Sequence, residues 1–124
     1  MTETNVRAVI VTYQPELDAL AKLLNALFKQ VDSIIIVDNG SAIDLSLYVG
    51  QCSSRQVTVL RLGKNTGIAF AQNRGIEIAR DLGAQFVLLM DQDSIPEPDM
   101  VQVLLSAALL KGSCAVGPRY LDAS

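Results

Sequence analysis

Two aspartates stand one residue apart in the stretch Leu88–Ser94 (LLMDQDS), directly after an apolar run. At about 4 Å and an effective dielectric near 20, two like charges repel by roughly 4 kcal/mol, so their pairing needs a reason. Residues two apart in an extended backbone point to the same side, so we expect Asp91 and Asp93 to face one pocket while Gln92 turns away. Such a pair suits Mg²⁺ or Mn²⁺, which bind one or two carboxylates together with substrate phosphates. The alternative, in which each aspartate only caps the following helix, leaves one charge without a role, and a divalent metal site is therefore predicted.

Polar residues also follow the first two predicted strands. Thr12 and Tyr13 end the first strand, and Asp38–Ser41 (DNGS) follows the second. An exposed Asp38 would accept a hydrogen bond from the imide N–H of a base and so select uracil or thymine; the alternative is an ordinary turn and helix cap. Tyr13 either stacks on a base or closes the end of the sheet.

A loop with two glycines, Gly63–Gly67 (GKNTG), follows the third predicted strand. Neither GxGxxG nor GxxxxGK[ST] is present, so the sequence supports neither a dinucleotide site nor a P-loop. The loop is either a strand-to-helix turn or a segment whose backbone and Asn65 approach a ligand. Arg74, in the second turn of the next helix, is either a solvated charge or a contact to a phosphate or base.

The periodicity of apolar residues predicts the elements that position these loops. Strands are predicted at Val6–Val11, Ile34–Val37, Val57–Leu62 and Phe86–Met90, with Cys114–Val116 as the start of a fifth. Helices are predicted at Glu16–Val31, at Ala42–Val49 with Ser41 as its cap, at Thr66–Leu82, and after Pro96 and Pro98 as far as Lys111. This alternation implies a largely parallel sheet covered on both faces, a Rossmann-like α/β layer. Ligands of such sheets bind beyond the carboxyl ends of the strands, which is where the polar loops lie.

The composition excludes several classes of function. The 124 residues are 50% hydrophobic and carry a net charge of −3, which indicates one globular domain without the basic patch of a nucleic-acid binder. The absence of histidine excludes serine–histidine catalysis and histidine-ligated zinc within these residues. Two distant cysteines, residues 1–5 unlike a signal peptide, and the lack of a run long enough to cross a bilayer predict a cytoplasmic location.

The ordered set of motifs resembles the inverting family 2 glycosyltransferases of the GT-A fold. The set consists of VTY after the first strand, DNGS after the second, Asn65-x-Gly67…Ala71-x-Asn73-x-Gly75, and DQDS after the fourth. LLMDQDSIP, with GIAFAQNRGI upstream, is most similar to the bacterial rhamnosyltransferase branch. The resemblance implies a three-layer Rossmann-like GT-A fold and a nucleotide-diphosphate sugar donor, dTDP-L-rhamnose or a UDP-sugar. It also implies a polysaccharide or lipid-linked saccharide as the acceptor.

The resemblance also implies roles for individual residues. Thr12, Tyr13 and Asp38 would surround the base, with Ser41 nearby. Asn65, Gly67 and Arg74 would line the nucleotide pocket. Asp91 would face the ribose or the metal, and Asp93 would coordinate a divalent cation, Mg²⁺ or Mn²⁺, bound by the diphosphate.

One departure from the family is serious. Members have a longer catalytic domain, whose second half carries the acceptor site and a carboxylate base. Residues 1–124 are therefore expected to be the nucleotide-sugar-binding half of a truncated domain, inactive alone, with the base downstream of Ser124. Glu97 and Asp99 are interpreted as first-turn helix charges rather than as that base. Lipid-linked acceptors in the family suggest peripheral association of the full-length protein with the inner membrane.

Two other classes remain as alternatives. A haloacid-dehalogenase-like phosphatase also carries DxD after a parallel strand, but there the motif follows the first strand and continues into Thr or Val. Here it follows the fourth predicted strand and continues Ser-Ile-Pro. The second alternative is a non-catalytic nucleotide-binding or interaction module. The base, the sugar, the acceptor and the oligomeric state are left open by these residues.

Overall fold

Strands and helices alternate along the chain in the computed structural model, which describes residues 5–51 and 56–111. The strands are β1 Val6–Thr12, β2 Ser33–Asp38, β3 Val57–Arg61 and β4 Phe86–Asp91. The helices are α1 Leu17–Phe28, α2 Leu45–Gln51, α3 Ile68–Asp81 and α4 Met100–Lys111. The strands form one sheet in the order β3-β2-β1-β4, and every neighbouring pair is parallel. The predicted α/β class with a mostly parallel sheet is confirmed.

The register of the sheet brings the ends of three strands to one edge. Thr12 pairs with Asp38 at the end of the β1–β2 ladder, and Val11 pairs with Asp91 at the end of the β1–β4 ladder. Because all strands run in the same direction, the loops that follow them meet at this carboxyl edge. The fold therefore collects the polar motifs that are 26 to 79 residues apart in the sequence.

β2 is the centre of the core because its apolar residues alternate between the two faces of the sheet. Ile34 and Ile36 are fully buried against α1, whose buried face consists of Leu20, Leu23, Leu24 and Leu27. Ile35 and Val37 are buried on the other face against Ala71 and Ala79 of α3. A strand covered on both sides must be apolar at consecutive positions, which explains the uninterrupted run that predicted it. This core packs on both faces of the strand that carries Asp38 to the carboxyl edge.

Two predicted helix boundaries were wrong by three residues, and others differ by one or two. α1 ends at Phe28 instead of Val31, because the chain turns at Lys29 and Gln30 and Val31 is buried in the turn that leads to β2. α2 begins at Leu45 instead of Ala42, because the Ser41 hydroxyl does not cap it; an Asp44 carboxylate oxygen accepts from the Ser46 N–H instead. The predicted strand at Cys114–Val116 lies outside the described residues. Within the residues that the structure describes, no helix is long and apolar enough to cross a membrane.

Gly75 lets α3 approach the sheet closely. A Cβ atom added at Gly75 would overlap Cγ1 of Val9 and lie 3.1 Å from Cγ2 of Val37. Both neighbours are β-branched and fully buried, so neither has room to move aside. The glycine that ends the Ala71-x-Asn73-x-Gly75 pattern therefore has a packing role.

We expect Gly75→Ala to lower the free energy of unfolding by about 1 kcal/mol. The reason is that overpacking costs roughly 1–3 kcal/mol and exceeds the gain of about 1 kcal/mol in helix propensity. Urea denaturation would measure the change as a lower midpoint at an unchanged slope. Arg80→Ala, at an exposed position of the same helix, is the control and should change stability by less than about 0.5 kcal/mol. An alanine variant as stable as the wild type would contradict this account of the packing.

Candidate functional site

A cavity of about 340 Å³ opens at the carboxyl edge of the sheet. Its lining residues come from the end of β1, from all four of the predicted loops and from the first residue of α3, and they are Val11, Tyr13, Asn39, Asn65, Ile68, Asp91, Gln92 and Asp93. A volume of this size lies in the range typical of small-molecule sites. The site was predicted beyond the carboxyl ends of the four strands, and the cavity lies there.

The carboxylates of Asp91 and Asp93 both line the cavity, but not for the reason expected. The main-chain N–H of Ser94 donates to the carbonyl of Asp91 at 3.1 Å, so the chain turns through Gln92 and Asp93 instead of remaining extended. The expectation that Gln92 turns away was wrong, because its side chain lines the same cavity and hydrogen-bonds to Tyr13. Asp91 and Asp93 thus both line the cavity from a tight turn.

The two carboxylates have no neutralising partner among the residues that the structure describes. Among residues 5–51 and 56–111, no hydrogen bond or ion pair is made to the side-chain oxygens of Asp91 or Asp93. The same part of the chain contains no group of three or more His, Cys, Asp and Glu side chains that could enclose a metal ion. Mg²⁺ and Mn²⁺ do not need such a group when phosphate oxygens complete the shell, so the pair fits a cation of this class.

Asp38 is buried beneath the cavity, contrary to the expectation of an exposed carboxylate. Only 1% of its surface is exposed, and it accepts three hydrogen bonds. Thr12 Oγ1 donates to Oδ1 at 2.7 Å, the Ser41 hydroxyl donates to the same oxygen, and the Ser41 N–H donates to Oδ2 at 2.9 Å. A carboxylate with these donors is stabilised by the protein itself. Thr12, Asp38 and Ser41 therefore support the floor of the site.

Asn39 and Asn65 join the loop after β2 to the loop after β3. Oδ1 of Asn39 accepts from the N–H of Thr66 at 2.8 Å and from its hydroxyl at 2.9 Å. Oδ1 of Asn65 accepts from Nδ2 of Asn39 at 3.2 Å and from the N–H of Gly67 at 2.9 Å. These bonds orient the Asn65 amide so that its Nδ2 donors, unpaired within the described residues, remain for a ligand.

The first turn of α3 is a second source of donors at the cavity. α3 begins at Ile68, which lines the cavity, and its N-cap Gly67 provides no side-chain cap. The first N–H groups of a helix have no partner within the helix and carry partial positive charge, which favours an anion such as phosphate. Gly67 has φ +88°, a conformation that suits glycine, so its role here is to begin the helix.

Gly40 keeps the two loops in contact. Its φ is +101°, and a Cβ atom at this position would lie 2.7 Å from the carbonyl carbon of Lys64 and 2.9 Å from the N atom of Asn65. Both are main-chain atoms, which cannot turn aside as a flexible side chain can. Only glycine therefore allows the backbone of the DNGS loop to lie against the backbone of the GKNTG loop.

The family of the chain follows from a match that covers nearly all of it. The model of the family described as "Glycosyl transferase family 2" matches residues 8–123. The chain belongs to glycosyl transferase family 2. The resemblance inferred from the DNGS and DQDS motifs is thereby confirmed.

The chain is also similar to one curated protein and to one solved structure. The dTDP-rhamnosyl transferase RfbF of Shigella flexneri is 34% identical over 119 residues, which are 96% of this chain and 40% of that protein. The chain therefore spans less than half the length of this curated relative. The crystal structure of S. aureus TarS 1-349 is similar with a TM-score of 0.68 and 22% identity, covering 88% of this chain and 33% of that chain. At this identity the likeness shows the fold alone, and it confirms the predicted GT-A architecture.

The structure places the residues inferred from the family resemblance at different depths. Tyr13, Asn65, Asp91 and Asp93 line the cavity, while Thr12, Asp38 and Ser41 lie beneath it and Gly67 begins the adjacent helix. Arg74 was expected to line the nucleotide pocket, but it is not among the residues that line the cavity. Its guanidinium pairs with Glu77 at 3.0 Å on the surface of α3, and its side chain is 41% exposed. A surface ion pair of this kind contributes about 0–1 kcal/mol, so it leaves Arg74 free to exchange partners.

Several residues of the site were not predicted as site residues, among them the apolar lining residues Val11 and Ile68 and three polar residues. Asn39 and Gln92 line the cavity, and Gln14 supports it from a left-handed conformation with φ 44°. The N–H of Gln14 donates to the Ser41 hydroxyl at 2.8 Å, and its Oε1 accepts from the N–H of Ala42 at 3.0 Å. Asn39 and Gln92 occupy strand-end motifs, which is a signal of a site. Nothing in the local sequence indicates the unusual conformation of Gln14.

Proposed function

We propose that this chain is the nucleotide-sugar-binding part of a glycosyltransferase that moves L-rhamnose from dTDP-L-rhamnose to a saccharide acceptor. The observation that carries the proposal is one cavity lined by Asp91 and Asp93, whose carboxylates have no partner among the described residues, and also by Asn65, Tyr13 and the first residue of α3. Family membership supports sugar transfer, and the dTDP-rhamnosyl transferase relative supports this donor. Residues 1–124 would then supply donor binding. Residues that the longer relative has in addition would supply the acceptor site and the catalytic base.

Each part of the cavity suits one part of such a donor. The ring of Tyr13, 47% exposed, offers a surface on which a thymine base can stack. Nδ2 of Asn65 and the first turn of α3 offer donors to the diphosphate. Asp91 and Asp93 would hold a divalent cation, Mg²⁺ or Mn²⁺, in contact with the same diphosphate.

The chemistry required of this half of the domain is departure of the nucleoside diphosphate. Asp91 and Asp93 would hold the divalent cation, which would supply charge neutralisation for the departing diphosphate. The residues of this chain orient the donor so that the anomeric carbon faces the acceptor with the diphosphate behind it, as inversion requires. A carboxylate base that takes the proton of the acceptor hydroxyl is assigned to no residue of this chain. We place the full-length enzyme in the cytoplasm, peripheral to the inner membrane, because acceptors of the family include lipid-linked saccharides.

Calorimetry with the 124-residue chain tests this proposal. We expect dTDP to bind in the presence of Mn²⁺ more tightly than UDP, and EDTA to weaken binding of dTDP but not of thymidine. The comparison with thymidine isolates the diphosphate, because the nucleoside lacks the groups that a cation would bridge. Absence of binding by both nucleotides in Mn²⁺ would contradict the proposal and favour a non-catalytic interaction module. The phosphatase alternative is no longer needed, since the chain belongs to a glycosyltransferase family.

A further inference from the structure

The side chain of Gln92 binds the main chain of Tyr13 at two points. Oε1 of Gln92 accepts from the N–H of Tyr13 at 2.8 Å, and Nε2 donates to the carbonyl of Tyr13 at 3.1 Å. The two residues are 79 positions apart in the sequence. A carboxamide is the uncharged side-chain group that offers one acceptor and one donor side by side, as the peptide unit of a neighbouring strand would.

The register of the sheet explains why a side chain is used at this point. The β1–β4 ladder ends at the pair Val11–Asp91, because the chain turns away from β1 after Asp91. The main chain of β4 can no longer reach β1, and the amide of Gln92 takes its place beside Tyr13. The main chain of Tyr13 is thereby held by β4's following turn, beyond the last main-chain pair of the two strands.

The position of Tyr13 needs such support because the backbone leaves the strand conformation immediately afterwards. Gln14 has φ 44°, and a left-handed conformation at a non-glycine residue costs on the order of 1 kcal/mol. The Ser41 hydroxyl accepts from the N–H of Gln14 on the side of β2, and Gln92 binds Tyr13 on the side of β4. The loop that carries the Tyr13 ring is therefore held from both neighbouring strands.

We propose that Gln92 is a positioning residue, which fixes the distance between the Tyr13 ring and the carboxylates of Asp91 and Asp93. Gln92 lies between the two aspartates in the turn, so its bonds to Tyr13 join the part of the cavity that suits a base to the part that suits a diphosphate. The proposal rests on the proposed function, because the ligand that would span Tyr13 and the two aspartates is a nucleoside diphosphate. A rigid spacing lowers the conformational entropy lost when both parts of one ligand bind at once.

The first experiment examines the contact without any ligand. Gln92→Met conserves the length of the side chain and removes both hydrogen bonds, and Gln102→Met makes the same change at an exposed position of α4. Amide hydrogen exchange, followed by NMR, should show Tyr13 protected in the wild type and in Gln102→Met. Protection of the Tyr13 amide should fall about tenfold in Gln92→Met. Equal protection of this amide in all three proteins would overturn the proposal, whatever the nucleotide results.

The second experiment compares dTDP with pyrophosphate, both in Mn²⁺. Gln92→Met should weaken dTDP binding by about tenfold and leave pyrophosphate binding unchanged, because only the nucleoside depends on Tyr13. In a Tyr13→Ala background, Gln92→Met should weaken dTDP binding by less than about twofold, since the ring to be positioned is absent. General damage to the fold would instead weaken both ligands equally.

The outcomes separate this proposal from the proposed function. If the wild type binds dTDP and Gln92→Met weakens dTDP and pyrophosphate equally, the positioning role is overturned and the nucleotide site stands. If the wild type binds neither dTDP nor UDP, the proposed function fails, and so does the idea that Gln92 spaces the site for a nucleoside diphosphate. The exchange rate of the Tyr13 amide then still decides whether Gln92 holds this loop.

Discussion

Replacing Asp93 by asparagine should weaken the binding of dTDP in Mn²⁺ by about a hundredfold, equivalent to about 2.8 kcal/mol. The carboxylate lines the cavity without a hydrogen-bond or ion-pair partner in the part of the chain that the structure describes. Its proposed role is to hold the cation, and an amide is a much poorer ligand for a hard divalent ion. Titration calorimetry of the two proteins with dTDP, at one fixed Mn²⁺ concentration, measures the difference.

The sign of this effect should reverse when the metal is removed. In EDTA, Asp93→Asn should bind dTDP about threefold more tightly than the wild type, because one negative charge no longer repels the diphosphate. Asp81→Asn, at an exposed position near the end of α3, makes the same chemical change away from the cavity and should leave both affinities unaltered. Weaker dTDP binding by Asp93→Asn in both conditions, by the same factor, would mean that Asp93 does not act through a cation.

The second large effect is expected on stability, from replacing Asp38 by alanine. We expect the free energy of unfolding to fall by about 3 kcal/mol, because the donors of Thr12 and Ser41 would remain buried without an acceptor. Chemical denaturation, monitored by circular dichroism, measures this change. Asp38→Asn keeps one carbonyl oxygen, so its free energy of unfolding should lie between those of Asp38→Ala and the wild type.

The exposed aspartate at position 81 again provides the control. Asp81→Ala removes a carboxylate that has no buried partner, and stability should change by less than about 0.5 kcal/mol. A small effect of Asp38→Ala would mean that water replaces the lost acceptor, and that Asp38 is more accessible than its 1% exposure indicates. Comparable losses of stability in Asp38→Ala and Asp81→Ala would refute a special role for the buried carboxylate.

The fold was predictable from the sequence because its main signals are local. β2 is an uninterrupted apolar run because helices cover both faces of the sheet. The buried leucines of α1 follow helical spacing because one face of this helix packs on the sheet. The boundaries of α1 and α2 were less predictable. Val31 continues the helical spacing although it belongs to a turn, and Ser41 has the right type to cap a helix although its hydroxyl binds Asp38.

The site was predictable in its position but not in its internal bonding. Parallel strands place their loops at one edge, and this rule alone brought Tyr13, Asn65 and Asp91 together. Whether Asp38 faces the ligand or the floor depends on Thr12, 26 residues away, and on the hydroxyl of Ser41. The orientation of Gln92 depends on Tyr13, 79 residues away. Such contacts leave no periodic pattern, so spacing cannot reveal them.

The contact of Gly40 with the main chain of Lys64 and Asn65 has a consequence for engineering this site. A designer who wishes to remodel the cavity could transplant the DNGS loop of another transferase. Any transplanted loop with a side chain at this position would displace the GKNTG loop, and with it the Asn65 amide. The loops after β2 and β3 therefore form one exchangeable module and should be grafted as a pair.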